Sequence, residues 1–214
     1  KDESGYSADL GFRGNVSGVL NYDASLFYLA YQDRINFQNI EGTTNRIRSN
    51  VGDSRNMGIE TFVEADLLKL YYGHEHPTSL SVFSNVTLVD TRYSSPQKDI
   101  DGKKVELAPT VIAKTGLSFK RNNFKLAYQY AYTAEQYTDA PNSVLEPTAV
   151  VGLIPAYWVM DLSGSYTYKR FTLESGINNL TDNRYFTRRA TGYPGPGIIP
   201  SDARNYYVTL QFQL

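Results

Sequence analysis

Asn205-Tyr206-Tyr207-Val208-Thr209-Leu210-Gln211-Phe212-Gln213-Leu214 closes the chain on a strict alternation. Tyr206, Val208, Leu210, Phe212 and Leu214 fall on one side, with Asn205, Thr209, Gln211 and Gln213 on the other. Successive side chains of an extended strand point to opposite faces, so this stretch reads as a β-strand with one greasy and one wet face. The period recurs upstream. Phe124, Leu126, Tyr128, Tyr130 and Tyr132 oppose Lys125, Gln129, Thr133 and Glu135, with small Ala127 and Ala131 on the polar side. Trp158, Met160, Leu162, Tyr166 and Tyr168 oppose Asp161, Ser163, Ser165 and Thr167, and Phe171, Leu173 and Ile177 oppose Thr172, Glu174 and Asn178.

Working towards the N-terminus, residues 111–120, 80–93, 46–70, 20–36 and 6–13 also read as strands, which brings the total to about nine. In the 46–70 segment Ile59, Val63, Ala65 and Leu67 alternate with Glu60, Glu64 and Asp66. No segment reads as a stable helix. Only Lys169 and Arg170 separate two alternating runs, which predicts a tight hairpin without Asn-Gly chemistry, and Arg121-Asn122-Asn123 predicts another turn. Connections alternate in length: 14–18, 71–77, 121–123 and 169–170 are short, whereas 39–44, 94–104, 139–155 and 187–201 are mostly long and hold most of the Pro, Gly and Asp. Short turns at one end and long loops at the other are the arrangement of an outer-membrane β-barrel, with the short side periplasmic.

Composition sets bounds without deciding the class. The 214 residues are 41% hydrophobic and 20% charged, which is ordinary for a globular protein; 18 Tyr against 2 Met and 1 Trp is not. Amphipathic rings suit sheets and membrane interfaces. Mean hydropathy is -0.41, and no run approaches the apolar length of a membrane helix. Averaging hides a barrel, however, because lipid-facing residues occupy only every second position. The absence of Cys excludes disulfides and thiolate chemistry, and a net charge of -1 gives no basis for nucleic-acid binding.

The expected fold is therefore all-β: an antiparallel transmembrane β-barrel in which about nine strands form the C-terminal part of a larger wall. Nine strands leave the termini at opposite rims, whereas self-contained bacterial barrels have an even count. Residues 1–214 are accordingly expected to be one partial domain, with N-terminal strands absent. Two other classes alternate in the same way: a passive pore or adhesin-like barrel, and a soluble β-domain binding a ligand between its sheets. The soluble alternative would carry many Lys and Glu on its polar face, where this chain has mainly Ser, Thr, Asn, Gln, Gly and Tyr.

Two landmarks carry a family resemblance. Gly176-Ile177-Asn178-Asn179-Leu180-Thr181-Asp182-Asn183-Arg184-Tyr185-Phe186 resembles the penultimate-strand motif of TonB-dependent receptors, with Gly176, Asn179, Leu180, Asp182 and Tyr185 at its fixed positions. Gly58-Ile59-Glu60, after Asn50-Val51-Gly52-Asp53, resembles a second landmark of the same family. The last strand is similar to the C-terminal signal of outer-membrane proteins, with Leu214 in place of the usual Phe. In physical terms the first motif is structural: Gly176 permits a close approach, and Asn179, Asp182 and Asn183 can satisfy backbone groups where pairing ends. The resemblance implies a barrel of about 22 strands, an N-terminal plug domain not present here, and energised nutrient uptake through the TonB complex.

The final loop, residues 186–204, is similar to that of ferric dicitrate receptors, which implies a ferric chelate as cargo. Arg188, Arg189 and Arg204 offer bidentate donors for its carboxylates. Arginines at a barrel rim equally pair with Asp, Glu or anionic lipid headgroups, and Tyr193 with residues 194–197 is expected to shape the loop. His74, Glu75 and His76 lie in a short turn and lack a further ligand, so no metal site is expected, and no cofactor. With only those two His, a nucleophile-base pair is not expected and neither is an enzyme. Glu60, Glu64, Asp66, Asp161 and Glu174 are expected to face the lumen, paired with Lys125, Lys114 and Arg13 or turned towards a plug. The expected partners are the chelate, the TonB complex and lipids of the bacterial outer membrane.

Overall fold

The computed structural model describes residues 1–40, 43, 45–147, 149–190, 192 and 196–213. Leu214, and Tyr193 to Gly195 of the final loop, lie outside the described residues. The elements are β1 (Ser4–Val16), β2 (Leu20–Asn39), β3 (Arg46–Asp66), α1 (Leu67–Tyr72), β4 (Thr78–Ser94), β5 (Val111–Arg121), β6 (Phe124–Thr133), β7 (Gln136–Tyr137), β8 (Leu153–Ile154), β9 (Tyr157–Tyr168), β10 (Phe171–Asn178), β11 (Phe186–Ala190), β12 (Gly197–Pro200) and β13 (Asn205–Phe212). Nine of them form one antiparallel meander in the order β1-β2-β3-β4-β5-β6-β9-β10-β13, as the alternation predicts. The small sheets β7-β8 and β11-β12 stand apart from it, in the long loops.

Register carries one face across the whole sheet. Cross-strand partners share a face, so the row Val208, Ser175, Gly164 and Leu126 joins Leu162, Leu117, Val82, Val63 and Leu26 on a single apolar side. These residues do not pack into a core: Leu210 is 67% exposed, Phe212 52% and Leu126 40%. A soluble sheet of this size would bury that surface. The other face carries Glu60, Asn85, Lys114, Gln129 and Thr209, with aromatic rings covering glycines. Phe27 faces Gly58, Phe83 faces Gly116 and Tyr207 faces Gly176, each pair in direct register. Rings laid over strand glycines fill the space a side chain would take and pin the register.

Tight turns follow the short connections. Lys169 adopts φ 53° in the two-residue β9-β10 link, and Asn122 adopts φ 50° between β5 and β6. Lysine tolerates the left-handed region less well than asparagine, which is why its sequence gave the weaker turn signal.

Two expectations are corrected. Strand β3 stops at Asp66, and residues 67–72 form the helix α1. The Asp66 carboxylate accepts from the Lys69 amide at 3.1 Å, capping the helix, and the Lys69 ammonium sits 3.9 Å from its other oxygen. The local cap thus overrides the apolar alternation that appeared to continue through Leu67. The second correction concerns only the pairing of the lumen charges. Among the described residues no ion pair joins Glu60, Glu64, Asp66, Asp161 or Glu174 to Lys125, Lys114 or Arg13. Glu64 instead accepts from Asn21 at 3.1 Å and Asp161 from the Asn179 amide at 2.9 Å, while Lys125 stands opposite Lys120 and Lys114 opposite Asn85.

Candidate ligand-binding end

The long loops converge on one end of the sheet, where the chain's buried hydrophobic cluster lies. Val51, Tyr93, Ile100, Val105 and Ala140 pack together from strand ends and loops. Hydrogen bonds complete the assembly. The Asn142 side-chain amide accepts from the Lys104 amide and donates to its carbonyl, both at 2.8 Å, imitating a strand pairing across 38 residues. Ser95 Oγ donates to the Val51 carbonyl at 2.6 Å. These are ordered loops rather than solvated tethers.

A polar network sits inside this end. Arg34 Nη2 lies 3.3 Å from Glu106 Oε1, and Tyr93 donates its hydroxyl to Glu106 Oε2 at 2.6 Å. The guanidinium also stands 5.4 Å from the Tyr31 ring centroid and 5.9 Å from that of Tyr93, within cation-π range. A register shift between Tyr31 and Arg34 places it there. Asp33 takes φ 50°, with its amide donating to Asp53 Oδ1 at 3.0 Å. Strict alternation from inward-facing Tyr31 would turn Arg34 outward, and the bulge reverses that parity. Strand alternation alone carried no sign of it.

Two adjacent hollows flank the network. One, of about 510 Å³, is lined by Phe37, Gln38, Gln97, Asp99, Ser143 and Glu146 among others; the second, of about 340 Å³, by Arg34, Asn36, Glu106 and Thr138. Phe37, Asp139 and Val151 border both. Burial raises the Asp139 carboxyl above the ordinary carboxylate range, against hydrogen bonds from the Ser143 amide and hydroxyl, and Glu146 and Glu106 push it further up.

The three arginines singled out in the last loop have different surroundings. Arg188 and Arg189 are consecutive on β11 and so project to opposite sides of it. Arg189 is held by the neighbouring loop: Nη1 donates to the Ala149 carbonyl at 3.0 Å and Nη2 to that of Leu153 at 2.9 Å, with the Phe186 ring centroid 5.3 Å away. Arg188 and Arg204 are exposed. The Arg204 amide, not its guanidinium, donates to Asp182 Oδ1 at 2.9 Å.

The 176–185 motif ties the end of β10 to its neighbours. Asn179, in the left-handed region at φ 52°, is buried; its side chain accepts from the Asn183 amide and donates to the carbonyls of Asn183 and Asp202. The Leu180 amide donates to the Met160 carbonyl at 2.7 Å. Asp182 gathers the Arg204 amide and the Arg184 guanidinium, which hold its carboxyl below the ordinary range. Tyr185 stacks on Tyr157 at 4.7 Å. His76, in the short turn, stacks on Tyr72 at 5.1 Å and its Nδ1 accepts from the Thr78 amide at 3.3 Å.

A meander with an exposed apolar face, tight turns at one end and packed loops at the other defines the wall of a transmembrane β-barrel. A family model for the TonB dependent receptor-like beta-barrel matches residues 1–180, and the chain belongs to that family. Solved structures share its fold at low identity. The ferric citrate transporter FecA in its unliganded form is 22% identical with a TM-score of 0.79, over 97% of this chain and 31% of its own. The copper transporter OprC is 20% identical with a TM-score of 0.76, over 99% and 31%. The ferric yersiniabactin uptake receptor FyuA from Yersinia pestis is 16% identical with a TM-score of 0.74, over 98% and 30%. The chain thus spans about a third of the length of each. No curated protein matches it.

Proposed function

We propose that the chain is the C-terminal part of an outer-membrane receptor of about 22 strands that takes up a scarce nutrient, most specifically a ferric chelate, with energy supplied through TonB. The observation that carries this reading is the apolar face, exposed across nine strands whose outer edges, on β1 and β13, have no strand partner among the described residues. Unpaired edges are not tolerated in hydrocarbon, and further strands of the same wall would close them. Family membership supports the receptor class, and structural neighbours that are a ferric citrate transporter, a copper transporter and a ferric yersiniabactin uptake receptor support a chelated metal as the class of cargo.

In this reading the short turns face the periplasm and the loop end receives the cargo. Exposed Arg188 and Arg204 meet its carboxylates, and Arg189 fixes the β11-β12 unit that presents Arg188. The test is ferric citrate binding by the full-length receptor before and after Arg188→Ala and Arg204→Ala. Losing one charge-assisted contact should weaken binding by about tenfold or more. Unchanged affinity in both variants would remove citrate-type recognition by this loop, and a failure of proteoliposomes bearing the receptor to import any ferric chelate would remove the transport reading.

A further inference from the structure

The face turned away from the lumen is not uniformly greasy. Near the short-turn end, Arg121, Phe124 and Tyr166 stand side by side on three neighbouring strands in direct register. Together with Phe119 and the turn residues Asn122 and Asn123 they line a hollow of about 470 Å³. Arg121 is exposed, and its guanidinium has no hydrogen-bond or ion-pair partner among the described residues. A second cation lies on the same side: the Lys169 ammonium sits 5.4 Å from the centroid of the Tyr168 ring, which points outward in register with Phe171. Phe119, Phe124, Tyr166, Tyr168, Phe171 and Phe212 form an aromatic band at this level, as side chains do where hydrocarbon meets headgroups.

An apolar groove adjoins the hollow. A groove of about 440 Å³, bordered by Leu126, Leu162, Leu173 and Val208, shares Phe124 and Tyr166 with the hollow below it. Small residues open the groove: Gly164 and Ser175 are cross-strand partners on the outward face, and a Cβ on Gly164 would meet nothing closer than 3.4 Å. The charge balance is one-sided. No Asp or Glu occurs between residues 107 and 134 or between 162 and 173; Lys114, Lys120 and Lys125 alternate onto the lumen face, and the outward side carries Arg121 and Lys169.

We infer that this composite site binds one anionic glycerophospholipid of the periplasmic leaflet, its phosphate against Arg121 and Lys169 and an acyl chain in the Gly164 groove. The polar slot and the apolar groove share Phe124 and Tyr166 as walls, so a ligand with a charged head and an apolar chain can occupy both. The short turns place the site in the leaflet facing the periplasm, which selects a phospholipid over the glycolipid of the outer leaflet. The inference rests on the membrane reading above.

Native mass spectrometry of the full-length receptor in detergent with equimolar phosphatidylglycerol and phosphatidylcholine tests it. The wild type should retain phosphatidylglycerol preferentially. Arg121→Gln and Lys169→Gln should each lower that preference by about fivefold, the effect of one basic residue at an anionic surface, and Gly164→Leu should lower total lipid retention by filling the groove. Removing two exposed loop charges, Lys98→Gln with Lys103→Gln, should change neither. Wild-type preference in the Arg121→Gln and Lys169→Gln double variant would overturn the site, as would an equal loss in the loop control. Displacement of the lipid by soluble glycerol phosphate would overturn the chain-binding half. Failure of the purified receptor to insert into bilayers would instead sink the membrane reading.

Discussion

Gly176 lies beneath the ring of its cross-strand partner Tyr207, so close that a Cβ on the glycine would stand 2.5 Å from Tyr207 Cε1. Both residues are on the lumen face, where the last two strands meet. The first motif in the sequence thus owes its glycine to an aromatic ring that needs the space.

Gly176→Ala should destabilise the barrel by about 1–3 kcal/mol, the usual cost of forcing bulk into a filled site. Tyr207→Ala removes the obstruction, so the double variant should lose less than the sum of the two single variants. Guanidinium unfolding of detergent-solubilised receptor, run as a double-mutant cycle, measures this. Additive losses would show that the ring and the glycine do not interact.

Arg189 joins two loops that are far apart in sequence, through its bonds to Ala149 and Leu153. Arg189→Ala should free residues 149–153, raising their amide exchange by at least tenfold, since a hydrogen bond from a charged donor contributes about 1.5–3 kcal/mol. Strand β13 should keep its protection. Hydrogen exchange read by mass spectrometry distinguishes the two regions.

The Arg34–Glu106 pair is largely withdrawn from water, the side chains being 21% and 11% exposed. Breaking such a pair from one side leaves the other charge stranded, at about 3–5 kcal/mol for a fully buried pair and less here. Glu106→Ala should therefore loosen the loop cluster more than the double variant with Arg34→Met, measured by proteolytic cleavage in residues 95–110.

Two loop carboxylates predict opposite responses to pH. Asp139 is raised above the ordinary range by burial, so it binds its proton more tightly in the folded state. Its contribution is fully present below the ordinary carboxylate value and is lost as pH rises through the raised one. Asp182 is lowered by the Arg204 amide and the Arg184 charge, so its contribution is present above the ordinary value and is lost as pH falls through the lowered one. Asp139→Asn should flatten the first dependence, seen as loop protection at mildly acid against neutral pH, and leave the second.

The barrel wall was legible because every second residue of each strand reports its surroundings, and Tyr206 to Phe212 show this without help from any contact. The number of strands in the wall and the hairpins at residues 121–123 and 169–170 followed from that pattern and the short links. What was illegible depends on partners distant in the chain. Asp66 reads as one more lumen residue until its carboxylate caps α1. The bulge at Asp33 turns Arg34 inward towards Glu106, 72 residues away, with no local mark. Arg189 looked like Arg188 because sequence distinguishes charge but not the carbonyls of another loop. The β7-β8 and β11-β12 sheets are likewise products of loop packing.

The outward assignment of alternate residues can be measured directly. Single cysteines at positions 206 to 212, in a chain that otherwise has none, would carry nitroxide labels in the bilayer-reconstituted receptor. Collisions with oxygen, which concentrates in hydrocarbon, should peak at 206, 208, 210 and 212, and collisions with a water-soluble nickel chelate at 207, 209 and 211. Labels at 208 and 210 that are shielded from both would mean that these side chains meet protein, and would contradict the membrane wall.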